Sequence, residues 1–403
     1  MKKIFVSFVL ITGAVLSCFS QAPWPSSNWD VATNLTSIMG SNGVEGLSGV
    51  HYNPTKKQLF LVQDGGRLRI IQWNEQSGNH LQLTDRNLGG DLEDVTQIND
   101  DENEFWVINE DGYKIERFQY SSNYSTFNSL HSWNLLSQAG GMIASSNGGP
   151  EGICFVPDSY LEAAGFISSS TGGAYTSQKG MGGLLFLAHQ NGGQVWVYDV
   201  NKNVSNDFDL VGIYNTKREE SCALSFDRST GLLYILHNID NNYLEVCTVG
   251  SSVVGQNYTL NSLQEFHVSL PTNGGKNMEG IALKPKCEDP LNPTLWMVRD
   301  LSGSQSAFAF KQFRPFGLVG ACTSELIEAP DFKAMIFPNP STGMVQVAFE
   351  FTSPTEIEVC DLHGKVVFKT LALFGLNTLD LSALSKGFYC VKVDGSFQKL
   401  LLH

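Results

Sequence analysis

The sequence predicts an all-β chain: a five-bladed, alternatively six-bladed, β-propeller followed by a second, smaller β unit. A short motif recurs five times, as Glu45-Gly-Leu-Ser, Glu93-Asp-Val-Thr, Glu151-Gly-Ile-Cys, Glu220-Ser-Cys-Ala and Glu279-Gly-Ile-Ala, at separations of 48, 58, 69 and 59 residues. Repeats on this scale mean stacked units, since one unit cannot bury its apolar face alone. Each unit holds β-branched and aromatic runs broken by Gly, Asn and Asp, with almost no helix-period stretch, which is the grammar of a four-stranded blade. From about Glu325 the composition changes, and short alternating strands follow an Ala329-Pro330 break.

The first repeat shows the blade pattern. Leu47 to Tyr52 is the inner strand, Leu59 to Val62 the second, Leu68 to Trp73 the third and His80 to Thr84 the fourth, separated by turns at Asn53-Pro54, Asp64-Gly65-Gly66 and Asn74 to Gly78. Later units repeat it with Phe105 to Ile108, Leu184 to Leu187, Leu233 to Leu236 and Leu295 to Val298 as second strands. The fifth unit lacks an outer strand, and Thr33 to Met39 has no blade of its own. Pairing the two would close the ring and hide a sheet edge. A degenerate sixth blade is the alternative. Pro157 to Gly183 inserts a Gly/Ser/Thr-rich stretch into the third unit, read either as a flap over one face of the ring or as a surface excursion.

Residues 1–20 have the form of a secretory signal peptide: Lys2 and Lys3, an apolar run from Ile4 to Leu16, then small and polar residues. Lipid attachment through Cys18 is the alternative. No later stretch approaches the roughly 20 apolar residues of a membrane span, so no transmembrane segment is expected after the leader. Losing Lys2 and Lys3 takes the formal charge from −14 to −16, and no basic cluster offsets it. Nucleic acid is excluded as a partner on that ground, and a monomer is expected. Seven cysteines follow the leader, with no CxxC among them. Cys287 is paired with Cys322 and Cys360 with Cys390 as candidate disulfides; Cys154 and Cys222 are expected as buried thiols.

Two sets of residues could carry chemistry. The repeat glutamates Glu45, Glu93, Glu151, Glu220 and Glu279 would stand at one level near the ring axis, either bonded to backbone N–H groups as blade staples or holding a divalent cation, calcium by ligand type. At the ends of the second strands stand Asp64, Glu110, His189, His237 and Asp300, lying 19, 17, 38, 17 and 21 residues after those glutamates, with Asp111 and Arg299 beside them. Residues that vary at equivalent positions suit an asymmetric ligand pocket better than a repeated turn does.

The three function classes are a binding module for calcium and a small or glycan-like ligand, a metal-dependent phosphoester or ester hydrolase, and a structural surface protein. In the hydrolase, His189 or His237 would be the acid/base, and Arg67, Lys179, Arg218 or Arg299 would take a phosphate. There is no G-x-S-x-G elbow, H-E-x-x-H or Walker loop.

Two resemblances add to this reading. Phe337-Pro-Asn-Pro-Ser-Thr-Gly343, the Asp361-Leu-His-Gly364-Lys turn and the Leu384-Ser-Lys-Gly-Phe-Tyr389 run resemble, in that order, the C-terminal sorting domain of the bacterial type IX secretion system. This implies a small Ig-like β-sandwich from about residue 335 to 403, a linker over 321–334 and a propeller over 21–320. It also implies the type IX machinery as partner and, through the periplasm, a secreted or outer-surface location. Glu45-Gly-Leu-Ser-Gly-Val with Asn53-Pro, Asp91-Leu-Glu93-Asp-Val, Gly149-Pro-Glu151-Gly-Ile and Asn277-Met-Glu279-Gly-Ile-Ala resemble the SdiA-regulated, YjiK-like propellers and the related esterase-like phytase group. That resemblance implies a propeller with a metal in its channel. The fourth copy, Glu219-Glu220-Ser-Cys, departs from the pattern.

Overall fold

The computed structural model describes residues 22–39, 45–77, 79–136, 141–144, 148–239, 242–268, 277–301, 309–322, 334–349, 355–361, 364–372, 375–393 and 396–403. The expected leader and nearly all of the expected linker lie outside the described residues. The chain forms two compact units, Met1–Thr323 and Ser324–His403.

The first unit opens with β1 (Thr33–Asn34) and then runs through antiparallel blades in chain order. Blade one is β2 (Leu47–Asn53), β3 (Gln58–Gln63), β4 (Arg67–Gln72) and β5 (Leu81–Asn87); blade two is β6 (Leu92–Thr96), β7 (Glu104–Asn109), β8 (Lys114–Tyr120) and β9 (Phe127–Asn134). Blade three is β10 (Pro150–Pro157), β11 (Gly183–His189), β12 (Gln194–Val200) and β13 (Phe208–Asn215). Blade four is β14 (Ala223–Asp227), β15 (Leu232–His237), β16 (Tyr243–Val254) and β17 (Asn257–His267). Blade five is β18 (Met278–Leu283), β19 (Leu295–Arg299) and β20 (Phe310–Phe313), completed by β1, with Thr33 opposite Gln312 and Asn34 opposite Lys311. The inner strands β2, β6, β10, β14 and β18 neighbour one another in sequence, and β18 returns to β2. The ring therefore has five blades.

Apolar clusters fill the seams between adjacent blades, as the two-faced apolar strands require. Around the axis the inner strands approach so closely that side chains are excluded. A Cβ on Gly49 would stand 2.5 Å from Asp94 Cα, and one on Gly280 would stand 2.8 Å from Ser48 O. This close approach is the physical reason for glycine in the repeat.

Only two residues of the expected Thr33 to Met39 strand pair with blade five. Beyond them Thr36–Met39 turns in a 3₁₀ helix, because Leu35 and Met39 are buried against Trp296 and Phe310 at the seam of blades five and one. The Pro157 to Gly183 insert is no flap. It carries α1 (Asp158–Ala164), and Leu161 and Phe166 are buried with Val211, Tyr214, Val249 and Leu260 of blades three and four. Burying Phe166 alone contributes roughly 1.5–3 kcal/mol. Ser168 Oγ donates to Val211 O at 2.6 Å, and Tyr214 OH donates to Ile167 O at 2.7 Å. The same two blades are joined at their outer strands by a parallel pairing of Asn215 with Thr259, so their eight strands form one continuous sheet. A disulfide joins Cys287 to Cys322, with Cα atoms 5.6 Å apart, and ties the β18–β19 connection to the end of this unit.

The second unit is a β-sandwich. One sheet holds β21 (Ala334–Phe337), β22 (Met344–Phe349) and β25 (Gly375–Asp380); the other holds β24 (Val366–Ala372), β23 (Thr355–Cys360), β26 (Gly387–Val393) and β27 (Ser396–Leu402). Ile357, Val359, Val391, Val393, Leu400 and Leu402 alternate inward to form its core with Val345, Val347 and Leu379. Among the described residues, no helix is long and apolar enough to cross a membrane.

Candidate metal centre at the axial mouth

Four of the five inner strands enter their blades through an irregularity in the ladder. The register jumps between Leu47 and Gly49, between Leu92 and Asp94, between Pro150 and Gly152, and between Met278 and Gly280. The residue caught in each jump, Ser48, Glu93, Glu151 or Glu279, is bulged out of the pairing. In blade four Cys222 takes this place, its N–H donating to Leu236 O while Ala223 pairs with Leu236. Structural equivalence is therefore Ser48, Glu93, Glu151, Cys222 and Glu279, and two of the five expected glutamates are displaced. Glu45 is exposed, three residues before Ser48. Glu220 is two residues before Cys222 and accepts from Gln190 Nε2 at 3.1 Å.

Glu93, Glu151 and Glu279 are all buried. Burial, then Asp64, Asp91, Glu279 and Glu110, push the Glu93 carboxyl up to about 9. Burial, then Glu93, Glu279 and Glu110, raise Glu151 well above the ordinary range. Burial, then Asp300, Glu220 and Asp64, push Glu279 up to about 8, against the opposing hydrogen bond from Asn238 Nδ2 at 3.0 Å. The charged groups that act on these three carboxyls are acidic. At the rim, Asp64, Asp91 and Glu93 each offer a carboxylate oxygen within 4.8 Å of the others. Burial and the acidic neighbours Asp64, Asp111 and Glu110 push Asp91 up to about 6.

Asp94 follows the bulge of blade two and acts as the staple. Its Oδ1 accepts from Val95 N–H at 2.8 Å and its Oδ2 from Ile153 N–H at 2.9 Å, so it binds blade two to blade three. Burial nevertheless holds its carboxyl well above the usual range, against these backbone donors.

The varied set at the second-strand ends mixes two registers. Asp64, Glu110, Gln190 and Asp300 make the same backbone bond, N–H to the carbonyl of Gly46, Asp91, Gly149 and Asn277 respectively. Asn238 follows β15 as Gln190 follows β11. Asp64, Glu110, Gln190, Asn238 and Asp300 are thus equivalent, and they turn toward the mouth. Asp64 Oδ1 accepts from Ser48 Oγ at 2.6 Å, Glu110 Oε1 from Gly149 N–H at 2.9 Å, and Asp300 Oδ2 from Asn277 Nδ2 at 3.2 Å. His189, His237 and Arg299 stand one residue earlier, and one residue on a strand reverses the side chain.

His237 is 0% exposed, with Nε2 at 3.1 Å from Glu245 Oε2 and Nδ1 at 3.2 Å from Ser221 Oγ. Both ring nitrogens are engaged, so this imidazole links β15 to β16 and has no atom to offer a substrate. His189 is buried against Trp196, with Nδ1 at 3.0 Å from Asn191 O, and burial lowers its pKa despite that carbonyl and Glu110. Arg299 lies 5.0 Å over the Trp29 ring, where it anchors the N-terminal segment. The other cations expected to take a phosphate are held elsewhere: Arg67 by Asp85 at 2.6 Å, Lys179 by Asp207 at 2.6 Å, and Arg218 by Glu265 at 2.9 Å. Asp111 is exposed beside Glu110.

Sequence reasoning misses Asp91, Ser48 and Cys222 as site residues, and it marks Gln190 and Asn238 as polar neighbours at the turns instead of members of the ring. Aligning the copies on the small residue before Val, Ile or Leu, Gly49, Asp94, Gly152, Ala223 and Gly280, would have found Ser48 and Cys222.

Residues 335–401 match the family model for the secretion system C-terminal sorting domain. The tail is a type IX sorting domain. It marks the chain for export, to the cell surface or beyond, and implies engagement with the type IX machinery. No curated protein matches the chain.

Proposed function

We propose that this is an exported propeller of the SdiA-regulated, YjiK-like kind whose axial mouth binds a divalent cation, calcium by its ligand chemistry. The observation that supports it is the meeting of Asp64, Asp91 and Glu93 oxygens within 4.8 Å of one another, backed by further carboxylates and by none of the four basic side chains traced above. Like charges at such range are tolerated only when protons or a cation compensate them. Calcium takes six to eight oxygen ligands in flexible geometry, which three carboxylates together with water can supply.

The test is a calcium titration of the full chain, followed by thermal melting. At ~100 times the dissociation constant, bound calcium adds about 2.7 kcal/mol of stability. Asp64→Asn and Glu93→Gln should each weaken that gain. A melting temperature indifferent to calcium and to chelator would mean that the carboxylates are compensated by protons alone.

A further inference from the structure

The four-stranded sheet of the sorting domain carries two thiols side by side. Cys360 ends β23, Cys390 lies in β26, and the antiparallel register sets them directly opposite each other. Opposed residues in such a ladder have Cα atoms about 4.5–5.5 Å apart, inside the roughly 4.4–6.8 Å span that a disulfide bridges. Their neighbours Val359 and Val391 point into the sandwich core, so both cysteines point away from it. They line one groove of about 660 Å³ with Glu358, Phe388, Lys392 and Lys399, and each is half-buried, within reach of another thiol reagent. Burial and the neighbouring Cys360 raise the Cys390 thiol above its ordinary value, as expected of two ionisable groups this close. The free cysteines of the propeller, Cys154, Cys222 and Cys247, are by contrast buried.

We propose that Cys360 and Cys390 form a cross-strand disulfide in the exported protein, a covalent clamp on the two central strands of the sorting sheet. The reading uses the sorting domain but not the cation site. The two thiols lose two protons and two electrons as the S–S bond forms, and the electrons reduce the disulfide of a thiol–disulfide oxidoreductase or of oxidised glutathione, which leaves as two thiols. Exported chains meet such oxidants, whereas reduced thiols persist in the cytosol. The bond would enclose β24 and β25, so neither strand could leave the sandwich without β23 and β26 staying joined. Cross-linking across such a loop restricts the unfolded chain more than the folded one.

The full chain, purified reduced, is equilibrated with oxidised glutathione, alkylated and digested with trypsin without reductant. The expected product is peptide 334–365 joined to peptide 387–392 within a single chain, with loss of alkylation at both cysteines. Cys360→Ser and Cys390→Ser should each abolish the joined peptide and leave the remaining thiol reactive. The clamped form should also survive limited proteolysis of the tail longer than the reduced form. Full alkylation of both thiols after equilibration, separate glutathione adducts on each, or linkage only between chains would overturn the proposal.

Discussion

Glu93 is the residue on which the chemistry of the mouth turns. It is bulged from its strand, buried, and surrounded by Asp64, Asp91, Glu110 and Glu279, so its carboxyl is pushed up to about 9 from an ordinary 4.5. Glu279 is pushed up to about 8 by burial and by Asp300, Glu220 and Asp64. Both groups hold their protons more tightly in the folded chain than in the unfolded one. Their contribution is therefore full below the unfolded value of 4.5 and is lost as pH rises toward 8 and 9. In chelator, the stability of the propeller should fall across that window, with a slope of about 1.4 kcal/mol per pH unit for each group that binds a proton only when folded. Melting curves of the native chain and of Glu93→Gln check this: the variant should show the shallower fall, and an identical pH profile would show that Glu93 does not titrate in this way. Calcium should flatten the native profile. The sequence showed Glu93, Glu151 and Glu279 by their motif, but Asp64 joins Asp91 and Glu93 only through the contact of blades one and two.

At the scale of the element, the short pairing of β1 decides whether the ring closes. Two residues of ladder are little, but Trp29 just before them is 1% exposed, packs against Phe313 at 6.2 Å and lies beneath Arg299. Trp29→Ala should cost about 3–5 kcal/mol through the lost burial and the cavity left behind. Deleting residues 22–35 should go further, baring the Phe310–Phe313 edge and causing aggregation. Denaturant unfolding and light scattering check the two; an unchanged midpoint for the truncated chain would mean that the last blade closes without β1. The strands themselves were legible because apolar alternation and turn residues mark them locally. The bulges were not. Nor was the exact end of a second strand: one residue more or less leaves composition and rough spacing intact while reversing the side chain, which is how His189 and His237 came to be grouped with Asp64, Glu110 and Asp300.

At the scale of the molecule, two compact units divide the labour. The sorting domain carries the export address, and the propeller carries the candidate site. Truncation before Phe337 should leave the propeller folded, with its Cys287–Cys322 disulfide intact, and held in the periplasm. Cell fractionation with a melting curve of the trapped protein checks both halves, and normal surface display of the truncation would remove the tail's assigned role. By itself the sequence determined the repeat, the all-β class and the sorting tail, because periodicity, turn chemistry and ordered motifs are local properties of the chain. Only the tertiary structure decided which residues share the mouth, that His237 is a buried partner of Glu245, and that the third-unit insert is a wedge between blades. Those facts depend on strand register and on contacts within and between blades, which bring Glu110 to Gly149 and Asp94 to Ile153 across 39 and 59 positions of the chain.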